Sequence, residues 1–121
     1  MLNQKGFTLI ELVSVMIIMS VVASVTIKKF DLVSSNAEFQ AVEAAIGELN
    51  ARESLIWTNI KLSNAGWTTD GNLFAIIDTA LGQGFDWDGA PDATGGTLQF
   101  RSQSRILTRD ASTSIVAGRW H

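Results

Sequence analysis

The chain has 121 residues, of which 46% are hydrophobic and 17% charged, with a net charge of −3, so it is the length of one domain. It has no cysteine, which excludes disulfides, thiolate metal sites and a cysteine nucleophile. Lys and Arg are few and scattered, so the electrostatic footprint of a nucleic-acid partner is absent and none is predicted.

The first predicted element is an apolar helix from Phe7 to Ile27. As a helix it is about 31 Å long at ~1.5 Å per residue. That matches the ~30 Å hydrocarbon core of a bilayer. A secretory signal peptide is one reading of such a segment. Its apolar core is shorter and its start more basic than this one, where Lys5 is the one basic side chain ahead of the segment. The stretch VASVT imitates a signal cleavage site and keeps that reading open.

Glu11 is the exception in this run. An ionisable side chain inside a span costs a few kcal/mol and is normally paired. Lys28 is more than four turns away, and Lys5 is on a poor helical spacing. The partner then comes from a nearby chain end or from another molecule. Alternatively the carboxylate snorkels to the interface and needs no partner.

The stretch KGFTLIELVSVMIIM (Lys5 to Met19) resembles the start of type IV pilins and of the pseudopilins of type II secretion. Their shared signature is a short basic leader ending in Gly, then Phe-Thr-Leu-Ile-Glu-Leu, then a long apolar helix. The resemblance covers Lys5 to about Ala23; beyond residue 35 it is architectural only. It implies that a prepilin peptidase cuts between Gly6 and Phe7 on the cytoplasmic membrane face, and that the new Phe7 amine is methylated. Residues 1–6 are then a leader, 7–28 the transmembrane and assembly half of a long helix, and 29–121 a periplasmic or extracellular head. It further implies an inner-membrane pool with a cytoplasmic N-terminus, an assembly platform, minor pilins, and a helical homo-oligomer as pilus or pseudopilus. The freed amine has an unperturbed pKa near 8 and is a cation at neutral pH. In the family, Glu11 of one subunit would meet the Phe7 amine of a neighbour. A neighbour docked at the wrong height would leave two buried charges unpaired, at a cost on the order of 3–5 kcal/mol.

Two departures stand out. Many type IV pilins carry Gly in mid-segment and Pro at its end; here Ser20 and Lys28 occupy that region, and Pro91 is the only proline. A more continuous helix is therefore expected. The disulfide that often closes the pilin C-terminal region is missing. Lys28 and Lys29 also outnumber Lys5, so the positive-inside bias does not itself place the N-terminus in the cytoplasm.

After Lys29 the pattern becomes amphipathic. Phe39, Val42, Ile46, Leu49, Ile56 and Ile60 recur at three- and four-residue steps, and Glu53 falls where the next apolar residue is due. The helix is predicted to run from Phe7 to Leu62, with Asn64 or Gly66 closing it. Trp67 to Asn72 reads as a loop in which Asp70 and Asn72 cap a short helix, Leu73 to Leu81, ended by Gly82. A strand at Phe74 to Ile77 is the alternative. Gly82 to Gly96 is turn-rich. Thr97 to Arg101, Arg105 to Arg109 and Thr113 to Ala117 read as strands of an antiparallel meander. The fold class is α+β and pilin-like: one long N-terminal helix on a small antiparallel sheet.

Candidate ligand sites are few. Asp86, Asp88 and Asp92 in the glycine-rich loop offer hard oxygen donors, although the EF-hand spacing is not met. Some pseudopilins hold calcium in a late loop, so calcium is implied by resemblance only; solvated turn residues are the other reading. His121 is the only histidine, which leaves no triad or histidine-based metal site. Trp57, Trp67, Trp87 and Trp120 fit packing of the head, and Phe7, Phe30 and Phe39 fit packing along the helix. No nucleophile–base arrangement or phosphate loop is present. The sequence thus reads as a non-catalytic subunit of a type IV pilus-like filament. The alternatives are a pseudopilin of a secretion or DNA-uptake machine, and a membrane-tethered binding module that never polymerises.

Overall fold

The computed structural model of the chain describes residues 8–121. The chain divides into two units, residues 1–34 and 35–121. One helix, α1 (Leu9–Leu62), supplies residues to both. It has no break at Ser20 or Lys28, as the absence of Gly and Pro there predicts.

In the first unit α1 is apolar, long enough to cross a membrane, and unburied by the rest of the chain. Its hydroxyls are satisfied within the helix. Ser14 donates to Ile10 O at 2.8 Å, Ser20 to Met16 O at 2.8 Å, Ser24 to Val21 O at 2.9 Å and Thr26 to Val22 O at 2.9 Å. Such back-bonding removes the cost of a polar group where no water is available.

In the second unit the apolar stripe of α1 becomes a core face. Val42, Ala45, Ile46 and Leu49 are buried against Leu98, Leu107 and Trp120. Phe39 is half exposed, so the stripe that packs begins one turn later than its spacing suggests. The sheet has four strands, β1 (Phe85–Trp87), β2 (Gly95–Phe100), β3 (Gln103–Asp110) and β4 (Arg119–Trp120). They pair in sequence order and all antiparallel, which is the predicted meander. Register is set by alternation: Leu98, Leu107 and Trp120 face inward, while Gln99, Ile106 and Asp110 face out. Trp87 lies against Trp120 at 5.6 Å between ring centroids, and Phe85 stacks on Phe100 at 4.4 Å.

Three predicted elements are corrected. The short helix is α2 (Asp70–Phe74), not Leu73 to Leu81, and its N-cap is Thr69, whose hydroxyl accepts from Asn72 N at 3.2 Å. After Phe74 the bonding tightens to three-residue steps, Ile76 N donating to Leu73 O at 3.2 Å and Ile77 N to Phe74 O at 3.1 Å, and the carbonyls beyond are bonded by side chains. Arg52 donates to Asp78 O at 2.9 Å and Ala80 O at 2.6 Å, and Trp87 Nε1 donates to Thr79 O at 2.9 Å. Thr113 to Ala117 is a turn, not a strand. Thr113 Oγ1 accepts from Ile115 N at 3.2 Å and Val116 N at 3.1 Å, which diverts the backbone from a ladder. From α1, Trp57 and Lys61 donate to the Thr113 and Ser114 carbonyls. The last strand is instead Arg119–Trp120, where Asn50 holds both backbone groups of Trp120 in a two-point contact. The turn-rich Gly82 to Gly96 segment contains β1, too short to read from its composition.

The core also encloses an ionic cluster. Glu53, at 0% exposure, faces Arg109 on β3, with Nε donating at 2.5 Å and Nη2 at 3.2 Å. Arg109 also donates to both oxygens of Asp70 at 2.8 Å and to Ala93 O at 3.0 Å, so all five of its N–H groups are used. Trp120 Nε1 supplies Glu53 with a further donor at 2.9 Å, and Ser112 gives Asp70 two. Gly118 is required beside this cluster, because a Cβ there would lie 2.6 Å from Glu53 Oε2 and 2.9 Å from Arg109 Nη2.

Two outcomes follow for the head. A fragment of residues 29–121 is expected to be soluble, to melt cooperatively and to show mixed α/β circular dichroism. Aggregation or a non-cooperative melt would contradict a self-contained core. In that fragment Arg109→Met should cost on the order of 3–5 kcal/mol in urea unfolding, since the buried Glu53 and the part-buried Asp70 lose their cation. The Arg109 guanidinium holds the Asp70 carboxyl down at about 2, against 3.8 ordinarily, with the Ser112 donors assisting. A depressed folded pKa contributes stability above pH ~4 that is lost as pH falls toward ~2. The melting temperature should drop across that window, and drop less in Asp70→Asn.

Candidate functional site

The amino-terminal end of α1 is the candidate site. Thr8 stands just ahead of the helix, its carbonyl accepting from Leu12 N at 3.1 Å and its hydroxyl from Glu11 N at 3.3 Å. Thr8-Leu9-Ile10-Glu11 thus has the spacing of a capping box, with Glu11 three residues past the cap. A carboxylate in the first turn also faces the positive end of the helix dipole. The Thr-x-x-Glu pattern is the sequence signal for this helix start.

The cap satisfies the backbone of Glu11 and leaves its side chain free. Glu11 is exposed, and among the described residues its carboxylate has no hydrogen bond or ion pair. It differs in this from Ser14, Ser20, Ser24 and Thr26, whose hydroxyls bond within the helix. It is the one polar side chain between Leu9 and Ile27 without an intrahelical partner. Gly6 and Phe7, the residues of the expected cleavage and methylation, lie outside the described residues.

The other candidates are placed as follows. Asp86 is on β1, exposed and opposite Gln99. Asp88 is exposed, its backbone N–H bonded to Thr97 O at 2.9 Å. Asp92 closes its own turn: Oδ1 accepts from Thr94 N at 2.7 Å and from Thr94 Oγ1 at 2.5 Å, and these bonds lower its pKa. The three are not brought together, and among the described residues no group of three or more His, Asp or Glu is gathered to hold a metal. Each tryptophan indole donates a hydrogen bond within the head, the expected packing role. His121 pairs with Asp110 at 3.2 Å on the surface.

The Glu53–Arg109–Asp70 cluster is the part that sequence reasoning missed. Its one signal was a glutamate in an apolar stripe. The positions joined, 53, 70 and 109, are too far apart in the chain for spacing to connect them. Its donors are committed and Arg109 and Glu53 are fully buried, so its chemistry is cohesion rather than catalysis.

Comparison with curated proteins and with solved structures gives no match to the chain. A family model, the prokaryotic N-terminal methylation motif, matches residues 1–27. The motif implies processing by a prepilin peptidase and belongs to structural subunits rather than to an enzyme family. The capped, apolar, single-carboxylate start of α1 and the α+β arrangement after it accord with that match, and the chain carries at its amino terminus the signature of type IV pilins and pseudopilins.

Proposed function

We propose that the protein is a structural, non-catalytic subunit of a type IV pilus-like filament, assembled from an inner-membrane pool. A prepilin peptidase removes residues 1–6, and Phe7 becomes the methylated amino terminus. Its ammonium then pairs with Glu11 of a neighbouring subunit as the apolar halves of the helices pack together. The observation that carries this reading is the Glu11 carboxylate, the one polar side chain between Leu9 and Ile27 that has no partner among the described residues.

The physics favours pairing between subunits. In the membrane, Glu11 lies in the first turn of the span, close to the headgroups, where a charge is tolerable. In a fibre both groups leave water. A correctly staggered neighbour then supplies the counter-charge, and any other stagger leaves two charges buried alone. The assembly platform and minor pilins are the further partners in this reading. A tether that never polymerises has no use for the carboxylate beyond its place at the positive end of the helix. A pseudopilus within the envelope uses the same pairing, and fibres at the cell surface distinguish a pilus from it.

Glu11→Gln is expected to insert and to be cleaved normally, since a neutral side chain is cheaper in lipid and the scissile bond is untouched. Fibre yield should fall sharply, read by shearing and electron microscopy. Normal fibres at normal abundance would remove the pairing. Gly6 replaced by a bulky residue should leave uncleaved precursor in the membrane. Mature protein whose sequenced amino terminus is any residue other than Phe7 would overturn the processing step.

A further inference from the structure

The apolar run of α1 ends at a pair of adjacent lysines, Lys28 and Lys29. Both are exposed, and among the described residues neither makes an ion pair or hydrogen bond. From Leu9 to Lys28 is about 29 Å along the helix, so a span with Leu9 at one face of a ~30 Å core carries Lys28 to the other. The lysines flank two shallow apolar furrows. One, of about 360 Å³, is lined by Val25, Thr26, Lys29, Phe30 and Val33. The other, of about 320 Å³, is lined by Val25, Lys28, Lys29 and Leu32. Val25 is one turn nearer the bilayer centre than both lysines and borders both furrows.

We propose that Lys28 and Lys29 bind the anionic headgroup of a phospholipid whose acyl chains lie in the furrows beside Val25. The ligand such a site recognises has a negative head at the depth of the ammonium groups and an apolar tail directed into the core. An anionic phospholipid has both, and a soluble phosphate has no tail for the furrows. Asp31 is the one acid in the adjoining turn, and it leaves the segment from Lys28 to Asp31 with one net positive charge. Juxtamembrane lysines draw anionic lipid through the same Coulombic attraction. The site fixes the depth of the span, and a subunit leaving the bilayer must release the lipid. The binding itself rests only on the span lying in a membrane, not on polymerisation.

The test uses the full chain reconstituted as a monomer in phosphatidylcholine vesicles, with spin-labelled phosphatidylglycerol or spin-labelled phosphatidylcholine as probe. The motionally restricted fraction of each probe reports lipid selectivity. The wild type should favour phosphatidylglycerol roughly fivefold, as expected for one net charge at the membrane surface. The preference should disappear in Lys28→Gln/Lys29→Gln and weaken in 1 M salt, while the arginine pair and Lys5→Gln keep it. Equal helical content by circular dichroism excludes misfolding of the glutamine pair. Unchanged selectivity in that variant, or none in the wild type, would overturn the proposal. In the second case the lysines would be left to a carboxylate of a neighbouring copy. Loss of fibres in Glu11→Gln is read separately, so the two proposals fail independently.

Discussion

A carboxylate carried into an apolar environment has to find a cation, and the fold is organised around two answers to that constraint. In the head the cation is internal. Glu53 enters the core on α1 and meets Arg109 of β3, and Asp70 completes the set. One guanidinium with five used donors joins α1, α2 and β3. A buried ion pair of this kind adds less net stability than an apolar pair of the same volume, but breaking it on one side is expensive. It therefore specifies which strand faces which turn of the helix. Gly118 leaves room for it, and Asn50 fixes β4 against the same stretch of α1.

At the amino-terminal end the cation is not supplied by the described part of the chain. The helix satisfies every other polar group it carries between Leu9 and Ile27 with its own carbonyls. Thr8 caps the backbone of Glu11 and leaves the carboxylate for something else. In the proposed filament the amine that cleavage would create at Phe7, four residues from Glu11 in the sequence, would supply that cation from a neighbouring subunit. A segment that is otherwise free of polar demands gives such a pairing a large share of the selectivity for register.

The long helix and the antiparallel order of the sheet were legible in the sequence because both rest on periodicity. The stripe of Val42, Ile46 and Leu49 is a helical face, and Leu98 and Leu107 are alternate residues of strands. What was not legible rests on side chains competing for backbone. The Thr113 hydroxyl turns a β-branched run into a turn, and Arg52 and Trp87 bond the carbonyls of the segment after α2 that reads as helix. β1 is three residues between glycines, and β4 is two residues held by Asn50, so neither is long enough to show a period. At the site, Glu11 declared itself as a charge in an apolar run. The cap that Thr8 places on its backbone was carried by the Thr-x-x-Glu spacing, whereas Arg109 and Asp70 gave no local signal.

Pairing between subunits is tested most directly by mixed isotope labelling of assembled filaments. One population of subunits carries ¹⁵N at the Phe7 amine and the other carries ¹³C at the Glu11 carboxylate, and magic-angle-spinning NMR reads the dipolar coupling between them. Intersubunit pairing requires a cross-peak in the mixed filaments and a Glu11 carboxyl shift of the ionised form. A contact seen only when both labels are in the same subunit, or a protonated Glu11, would contradict it.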